Sequence, residues 1–252
     1  MKITYFIITF LFFRLSVNAQ QQEFIDKGKI EFERTTNLYK RLEQDDEDGN
    51  SSIIEALKKE LPEYKTSYFN LYFDGNKTLY QPGRVVETVK KVPEWMQGPA
   101  EDNIVYSDLS SNTFSSQKSV FETTYNIQDS LRNAQWKITS DKRTIAGFEC
   151  RKATTTIMDS VYVFAFYTDQ IVPRGGPESF AGLPGMILGI AIPRMHTTWF
   201  ATKLEVTEPN TNVILPPKKG KKTNVSSLKT TLQNSLKQWG KYGQRYTWTI
   251  MI

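Results

Sequence analysis

Sulfur and imidazole side chains are the first candidates for chemistry in this sequence. Its single cysteine and single histidine flank a segment that contains several methionines. The candidate metal ligands are Cys150, Met186, Met195 and His196. Thiol, thioether and imidazole groups suit a soft metal such as copper(I), so a metal-binding accessory protein is one hypothesis. Methionine and free cysteine are also ordinary core residues. Their spacing here matches no recognised metal cage, and the sequence therefore predicts no cofactor.

Recognisable catalytic motifs are absent from the sequence. It has no G-x-S-x-G, H-E-x-x-H or C-x-x-C pattern, and the glycines of 182–189 lack the Lys-Ser/Thr pair of a phosphate loop. A pair of carboxylates that exchange protons with a substrate can come from distant positions, so spacing does not reveal it. We therefore assign no catalytic residue. The absence of motifs favours a non-enzymatic protein, and a hydrolase with an unrecognised carboxylate site stays an alternative.

A glycine- and proline-rich corner interrupts one apolar run. The segment SFAGLPGMILGI (179–190) follows the loop RGGPESF (174–180). Proline followed by glycine predicts a type II turn over 183–186, and MILGI then reads as a buried strand. The candidate ligand- or partner-binding residues of this corner are Arg174, Pro177, Glu178, Gly182, Pro184 and Gly185. Turn geometry and packing explain the same residues without a ligand, and that explanation is favoured.

Alternating apolar residues predict that the chain is mainly β with minor α. The clearest hairpin is 64–80, in which Phe69, Leu71 and Phe73 share a face and Asp74-Gly75 forms the turn. Further strands are predicted at 28–39, 119–127, 135–139, 148–157, 161–168, 196–206 and 245–252. Apolar spacings of three and four predict helices over 51–62 and 224–241. The predicted architecture is a large curved antiparallel sheet packed by one or two helices.

The first nineteen residues have the features of an export signal. A basic start, the apolar run 3–13 and small residues at Val17 and Ala19 predict a signal peptide, 1–19. The apolar run is too short to span a membrane, so the protein is not expected to be membrane-spanning. Residues 20–252 are predicted to form a single β-rich domain. We expect it in the periplasm or outside the cell.

Charge and cysteine content exclude two further classes of protein. The formal net charge is +5, and much of the excess lies in the loop PPKKGKK (216–222). A nucleic-acid surface would interleave basic and aromatic residues, so we expect no nucleic-acid partner. One cysteine also excludes an intramolecular disulfide, and stability must come from a buried core. The oligomeric state is not predicted.

Two segments of the sequence carry a family resemblance. They are WKITSDKRTIAGFECRKATT (136–155) and FAFYTDQIVPRGGPESFAGLPGMILGI (164–190). Together they resemble the GLPGLI family of exported proteins from Gram-negative bacteria. The positions that depart from its usual residues are Phe166, Glu178, Met186 and Gly189. The resemblance implies export and a family without an established activity. Its fold is expected to be similar to the LolA-like half-barrels of lipoprotein carriers, by analogy of fold alone.

Three functions therefore follow from the sequence. The leading one is a non-enzymatic envelope protein whose curved sheet binds an apolar small molecule or a segment of an envelope protein. The second is the soft-metal accessory protein described above. The third is the hydrolase with a carboxylate site, which requires a pocket that contains a carboxylate pair with strongly perturbed pKa values.

Overall fold

The structure, a computed structural model, describes residues 24–252 except 47, 48, 50, 88, 89, 159 and 207–212. The predicted signal peptide, 1–19, lies outside the described residues. The strands are β1 (Lys27–Asn37), β2 (Tyr64–Asp74), β3 (Lys77–Pro82), β4 (Ile104–Asp108), β5 (Thr113–Val120), β6 (Thr123–Ser130), β7 (Lys137–Ile145), β8 (Phe148–Ile157), β9 (Val161–Thr168), β10 (Met186–Ile192), β11 (Thr197–Glu205) and β12 (Lys221–Thr223). The helices are α1 (Leu38–Asp45), α2 (Ser51–Glu60), α3 (Glu94–Gln97), α4 (Val225–Ser235) and α5 (Gly240–Met251).

The strands form one curved, unclosed sheet in the order β12-β6-β5-β4-β3-β2-β1-β11-β10-β9-β8-β7. Neighbouring strands are antiparallel except for β12, which runs parallel to β6. The prediction of a mainly β chain with a large curved sheet and a few helices is confirmed. Among the described residues, no helix has the length and apolar character needed to cross a bilayer.

Alternation along the strands builds the core on one face of the sheet. In β1 every second residue is buried, and Ile30 and Phe32 are fully inaccessible. Phe69 of β2 stacks on Tyr80 of β3 with ring centroids 4.8 Å apart. Each such fully buried side chain contributes about 1.5–3 kcal/mol through removal of its surface from water. Helices α4 and α5 cover this inner face, with their own apolar residues in the same core cluster.

The C-terminal segment is helical, so its prediction as a strand is wrong. Residues 245–251 belong to α5, and Arg245, Trp248 and the residue that follows the helix, Ile252, are buried at spacings of three and four. The apolar residues there also alternate with period two, which is typical of a strand. The segment is helical because in that form its apolar residues cover the inner face of the sheet. The helix predicted over 224–241 ends at Ser235, and α5 begins at Gly240.

Other strands differ from their predictions mainly in their ends. The predicted strand 119–127 is divided between β5 and β6 by a turn in which Phe121 has a φ of 52°. The predicted strand 135–139 continues to Ile145 as β7. Strands 148–157 and 161–168 and the hairpin of β2 and β3 are confirmed, as is the helix at 51–60.

The glycine-rich corner does not form the predicted type II turn. Gly185 has a φ of 142°, and its N–H donates to the Leu183 carbonyl at 2.8 Å. The Met186 N–H donates instead to the Ile171 carbonyl at 3.1 Å. A Cβ at position 185 would overlap the Thr168 carbonyl group, whose carbon would lie 2.7 Å away. Close approach of two backbones therefore requires this glycine.

Alanine substitutions at two glycines of the corner distinguish the stability loss caused by steric overlap from the loss caused by backbone strain alone. Gly182 also has a positive φ, 92°, but a Cβ there would meet only the Trp136 indole at 3.9 Å. We expect Gly182→Ala to lower the free energy of unfolding by about 1–2 kcal/mol. Gly185→Ala should cost about 3 kcal/mol or more, because the overlap adds to the strain. Urea unfolding of both variants measures the difference, and equal losses would contradict the close-approach explanation.

Candidate functional site

A small polar chamber lies between the inner face of the sheet and α5. The side chains that line it include four basic and two acidic residues, namely Arg34, Arg41, Lys65, Arg245, Glu101 and Glu178. Apolar and hydroxyl-bearing residues complete the wall, among them Trp199, Thr197 and Ile252. We call this space the chamber. It brings two carboxylates into one pocket from positions far apart in the sequence.

Glu101 is held in the chamber by three donors. The buried guanidinium of Arg34 pairs with Glu101 and also donates to the Ala100 carbonyl at 2.6 Å. Lys65 pairs with the same carboxylate at 2.6 Å, and the Ser67 hydroxyl donates to it at 2.8 Å. Burial alone would raise the pKa of Glu101, but the charges of Arg34 and Lys65 outweigh it and lower the pKa from 4.5. Glu101 is therefore an ionised group fixed in place.

The lowered pKa of Glu101 predicts how stability depends on pH. The carboxylate contributes its full stabilisation above its ordinary pKa of 4.5, and this is lost as pH falls through the lower folded value. We expect Glu101→Gln to flatten the fall of unfolding free energy between about pH 5 and pH 2. Denaturant melts across that range measure it, with the exposed Glu60→Gln variant as control. An unchanged slope in Glu101→Gln would contradict the assignment.

Glu178 is a buried carboxylate on a strained backbone. Its side chain is 2% exposed, and its φ of 55° is a left-handed conformation that a glutamate rarely adopts. The amide nitrogen of Asn103 donates to the carboxylate at 3.0 Å, and the Lys118 ammonium lies 4.0 Å away. Strain of this kind persists only where the surrounding structure enforces it, and it is concentrated at functional sites.

Buried polar atoms near the two carboxylates make few contacts within the described part of the chain. The Asn103 amide oxygen has no hydrogen-bond partner there, and the Tyr80 hydroxyl and the Trp199 indole nitrogen have at most each other. Burial, and next the negative charge of Glu178, raises the pKa of Tyr80 well above 10.0, so its hydroxyl keeps its proton at neutral pH. An unsatisfied buried donor costs about 1–3 kcal/mol. Such atoms indicate a place for water or for a polar substrate group.

The size and charge of the chamber define its chemistry. It has a volume of about 30 Å³, and one ordered water requires roughly 10–15 Å³. One or two waters therefore fit beside a buried carboxylate and within reach of basic side chains. A buried carboxylate beside water and positive charge is an arrangement in which a side chain can accept a proton from water.

The predicted corner residues are divided between this site and the outer surface. Glu178 lies in the chamber, and Pro177 beside it is buried. Arg174, Gly182 and Pro184 are exposed, and Gly185 is buried against the Thr168 backbone. The corner thus contributes one side chain to the site.

The predicted metal ligands are not gathered around one point. Met186 and Met195 are separated by the length of β10, roughly 20 Å for seven residues. Cys150 is fully buried on β8, where burial raises the pKa of its thiol to about 12. Burial, and next the charge of Arg245, lowers the pKa of His196 from 6.5. Among the described residues, no group of three or more His, Cys, Asp or Glu side chains could hold a metal ion.

Most of the chamber residues were missed by the sequence-based prediction. A basic residue on the apolar face of a predicted strand could have indicated the site. Arg34 lies on the same buried face of β1 as Ile30 and Phe32, and Lys118 lies on the buried face of β5. A charged residue at such a position needs a buried partner. Glu101 and Asn103 lie outside the strands, where periodicity gives no signal.

Comparison with known proteins identifies the family to which this chain belongs. Residues 76–229, more than half of the chain, match the sequence model of the family described as N-glycanase peptide, N-terminal domain. No curated protein matches the sequence. Two solved structures of PNGF-II share the fold, in the P21 and C2 space groups, with TM-scores of 0.52 and 0.52 and identities of 14% and 15%. They align with 82% and 81% of this chain but with only 33% and 32% of their own. The chain thus spans about a third of the length of PNGF-II.

The family match corrects two predictions. The resemblance to the GLPGLI family is wrong, because the matching family is the N-glycanase N-terminal domain. The close approach of the Thr168 backbone requires the glycine at position 185, so its presence reflects local geometry. The prediction of a non-enzymatic protein that binds an apolar ligand or partner segment is wrong on the same finding. Aromatic side chains pack on the inner face of β1 to β3, and α4 and α5 also pack against the inner face of the sheet.

Proposed function

Because the chain belongs to the family described as N-glycanase peptide, N-terminal domain, we propose that it is a glycan-amidase-like hydrolase. The bond cleaved is the amide that joins an N-linked glycan to its asparagine. This proposal takes up the hydrolase with a carboxylate site. The chain spans about a third of the PNGF-II chains it resembles, so the activity rests on the chamber's chemistry and on the family together.

The reaction needs a base for water and a donor for the leaving nitrogen. The water oxygen forms a bond to the amide carbon, and the carbon–nitrogen bond breaks. The proton that the base removes from water passes to the nitrogen, which leaves as a glycosylamine. The asparagine becomes an aspartate. Proton transfer by a positioned side chain accelerates such steps roughly 100- to 10,000-fold.

Glu178 is the general base in this proposal. Its carboxylate lines a chamber of water size, and Asn103 positions it through the 3.0 Å hydrogen bond. The Lys118 ammonium, 4.0 Å from the carboxylate, places positive charge beside it. Glu101 does not serve as the base, because Arg34, Lys65 and Ser67 occupy it.

The single observation that carries this assignment is the conformation of Glu178. A buried carboxylate at a φ of 55° combines two costs, strain and desolvation, at one residue. A role confined to packing would be met at lower cost by an apolar residue.

Release of a glycan from an asparagine-linked glycopeptide tests the proposal. The purified chain is incubated with the glycopeptide, and the products are identified by mass spectrometry. We expect free glycan and a peptide that carries aspartate in place of asparagine. Intact glycopeptide after prolonged incubation with folded protein would contradict the proposal.

Export remains part of the proposal. It is supported by the sequence features of 1–19. Expression in a Gram-negative host followed by N-terminal sequencing tests it. A periplasmic or secreted product that begins at about residue 20 is expected, and full-length protein retained in the cytoplasm would count against export.

A further inference from the structure

A second, larger cavity lies next to the chamber. It has a volume of about 280 Å³ and is bounded by β4, β5, β6, α4 and the end of α5. Most of its wall is apolar and comes from Val105, Phe114, Ile127, Leu131, Val225, Leu228 and Ile250. The polar side chains that face it include Ser116, Lys118 and Arg132. We call it the Arg132 cavity.

Arg132 has a donor that the protein leaves unused. Its Nη2 donates to the Met251 carbonyl at 2.6 Å. Its Nη1 is buried and has no hydrogen-bond partner among the described residues. The ring of Phe180 lies 5.8 Å from the guanidinium carbon and does not supply an acceptor in the ring plane. Burial lowers the pKa of Arg132 to about 10, so the group keeps its charge at neutral pH.

A second unused donor faces the same cavity. Ser116 is fully buried, and its hydroxyl has no partner among the described residues. Lys118, two residues along β5, differs because its ammonium donates to the Ile250 carbonyl at 3.0 Å. Ser116 and Arg132 therefore each face the cavity with a donor that has no acceptor within the described part of the chain.

Two acidic side chains of the region, Asp129 and Glu178, already accept hydrogen bonds. Asp129 lines the cavity, but its carboxylate accepts from the Val225 N–H at the start of α4 and from the Ser130 N–H. Glu178 accepts from Asn103 in the chamber. Neither carboxylate is hydrogen-bonded to the free Nη1 of Arg132.

We propose that the Arg132 cavity binds a small organic carboxylate, whose oxygens accept from Arg132 Nη1 and the Ser116 hydroxyl. The guanidinium N–H and the hydroxyl can each donate to one oxygen of a carboxylate, and the charged donor favours an anion over a neutral acceptor. The apolar wall favours an organic body over an inorganic anion, since two donors do not replace the water shell that phosphate would lose. This site does not depend on the proposed hydrolysis.

Calorimetric titration of the full chain with hexanoate, hexanamide and inorganic phosphate tests the site. Hexanoate should bind, and the neutral hexanamide and phosphate should each bind at least tenfold more weakly. Arg132→Gln should weaken hexanoate binding at least tenfold. The control Arg151→Gln, an exposed arginine of β8, should leave it unchanged.

Two outcomes with the unsubstituted chain would overturn the proposal. One is hexanamide binding as tightly as hexanoate, and the other is no hexanoate binding by the folded protein. If Arg132→Gln fails to fold, Ser116→Ala replaces it, with a several-fold loss of hexanoate affinity expected. Unchanged affinity in that folded variant would also overturn the proposal.

Discussion

The Glu178→Gln variant is expected to lose glycan release roughly 100- to 10,000-fold, the range for removal of a general base. Glutamine keeps the shape of the side chain and an acceptor for the Asn103 amide, so the geometry of the chamber is retained. It cannot take a proton from water. We expect the loss in kcat with little change in KM, because the substrate contacts stay in place.

A stability measurement and a matched variant complete this experiment. Removal of the carboxylate beside buried Lys118 should lower the free energy of unfolding by up to about 3 kcal/mol, so activity is assayed well below the melting temperature. The control is Glu149→Gln, in which an exposed glutamate of β8 loses its charge. Equal activity of the Glu178 and Glu149 variants would show that Glu178 is not the base.

The Arg34→Met variant is expected to be the most destabilising single change at the chamber, by about 3–5 kcal/mol. Arg34 is buried, donates to the Ala100 carbonyl and to Glu101, and stacks over Phe69 at 4.8 Å. Methionine retains much of the volume but leaves a buried carbonyl without a donor. Glu101 also loses one of its two cations. Denaturant unfolding at neutral pH measures the loss.

Arg84 offers a matched control for this substitution. It also pairs with a glutamate, Glu31 at 3.0 Å, and lies over an aromatic ring, Tyr68 at 3.5 Å. The difference is that Arg84 is exposed. We expect Arg84→Met to have a much smaller effect, because solvent screens an exposed pair and replaces its hydrogen bonds. Equal losses would mean that burial does not set the strength of the Arg34 contacts.

The sheet was largely predictable from the sequence because the residue pattern of each strand and the burial of that strand in the folded sheet favour the same structure. In β2 alternation places Phe69, Leu71 and Phe73 on the buried face, and the Asp74-Gly75 turn sets the hairpin. The strand prediction for the C-terminal segment was wrong because its residue pattern and its packing favour different structures. Residues 245–252 have a period-two pattern, and only the need to cover the sheet makes them helical.

The candidate site was harder to predict from the sequence, because its residues come from distant positions. Glu178 was among the predicted corner residues, but nothing in its neighbourhood indicates a carboxylate partner. Arg34, Glu101 and Glu178 come together because the loops before β4 and β10 meet the inner face of β1 in the folded chain. Sequence spacing carries no information on such contacts.

Hydrolysis in oxygen-18 water tests the central claim most directly. The full chain is incubated with an asparagine-linked glycopeptide in labelled water, and the peptide product is analysed by mass spectrometry. Amide hydrolysis with Glu178 as base predicts aspartate that contains one oxygen-18 in its carboxylate, and no such product from Glu178→Gln. Label found on the released sugar, with asparagine intact, or labelled aspartate formed equally by the variant, would contradict the account.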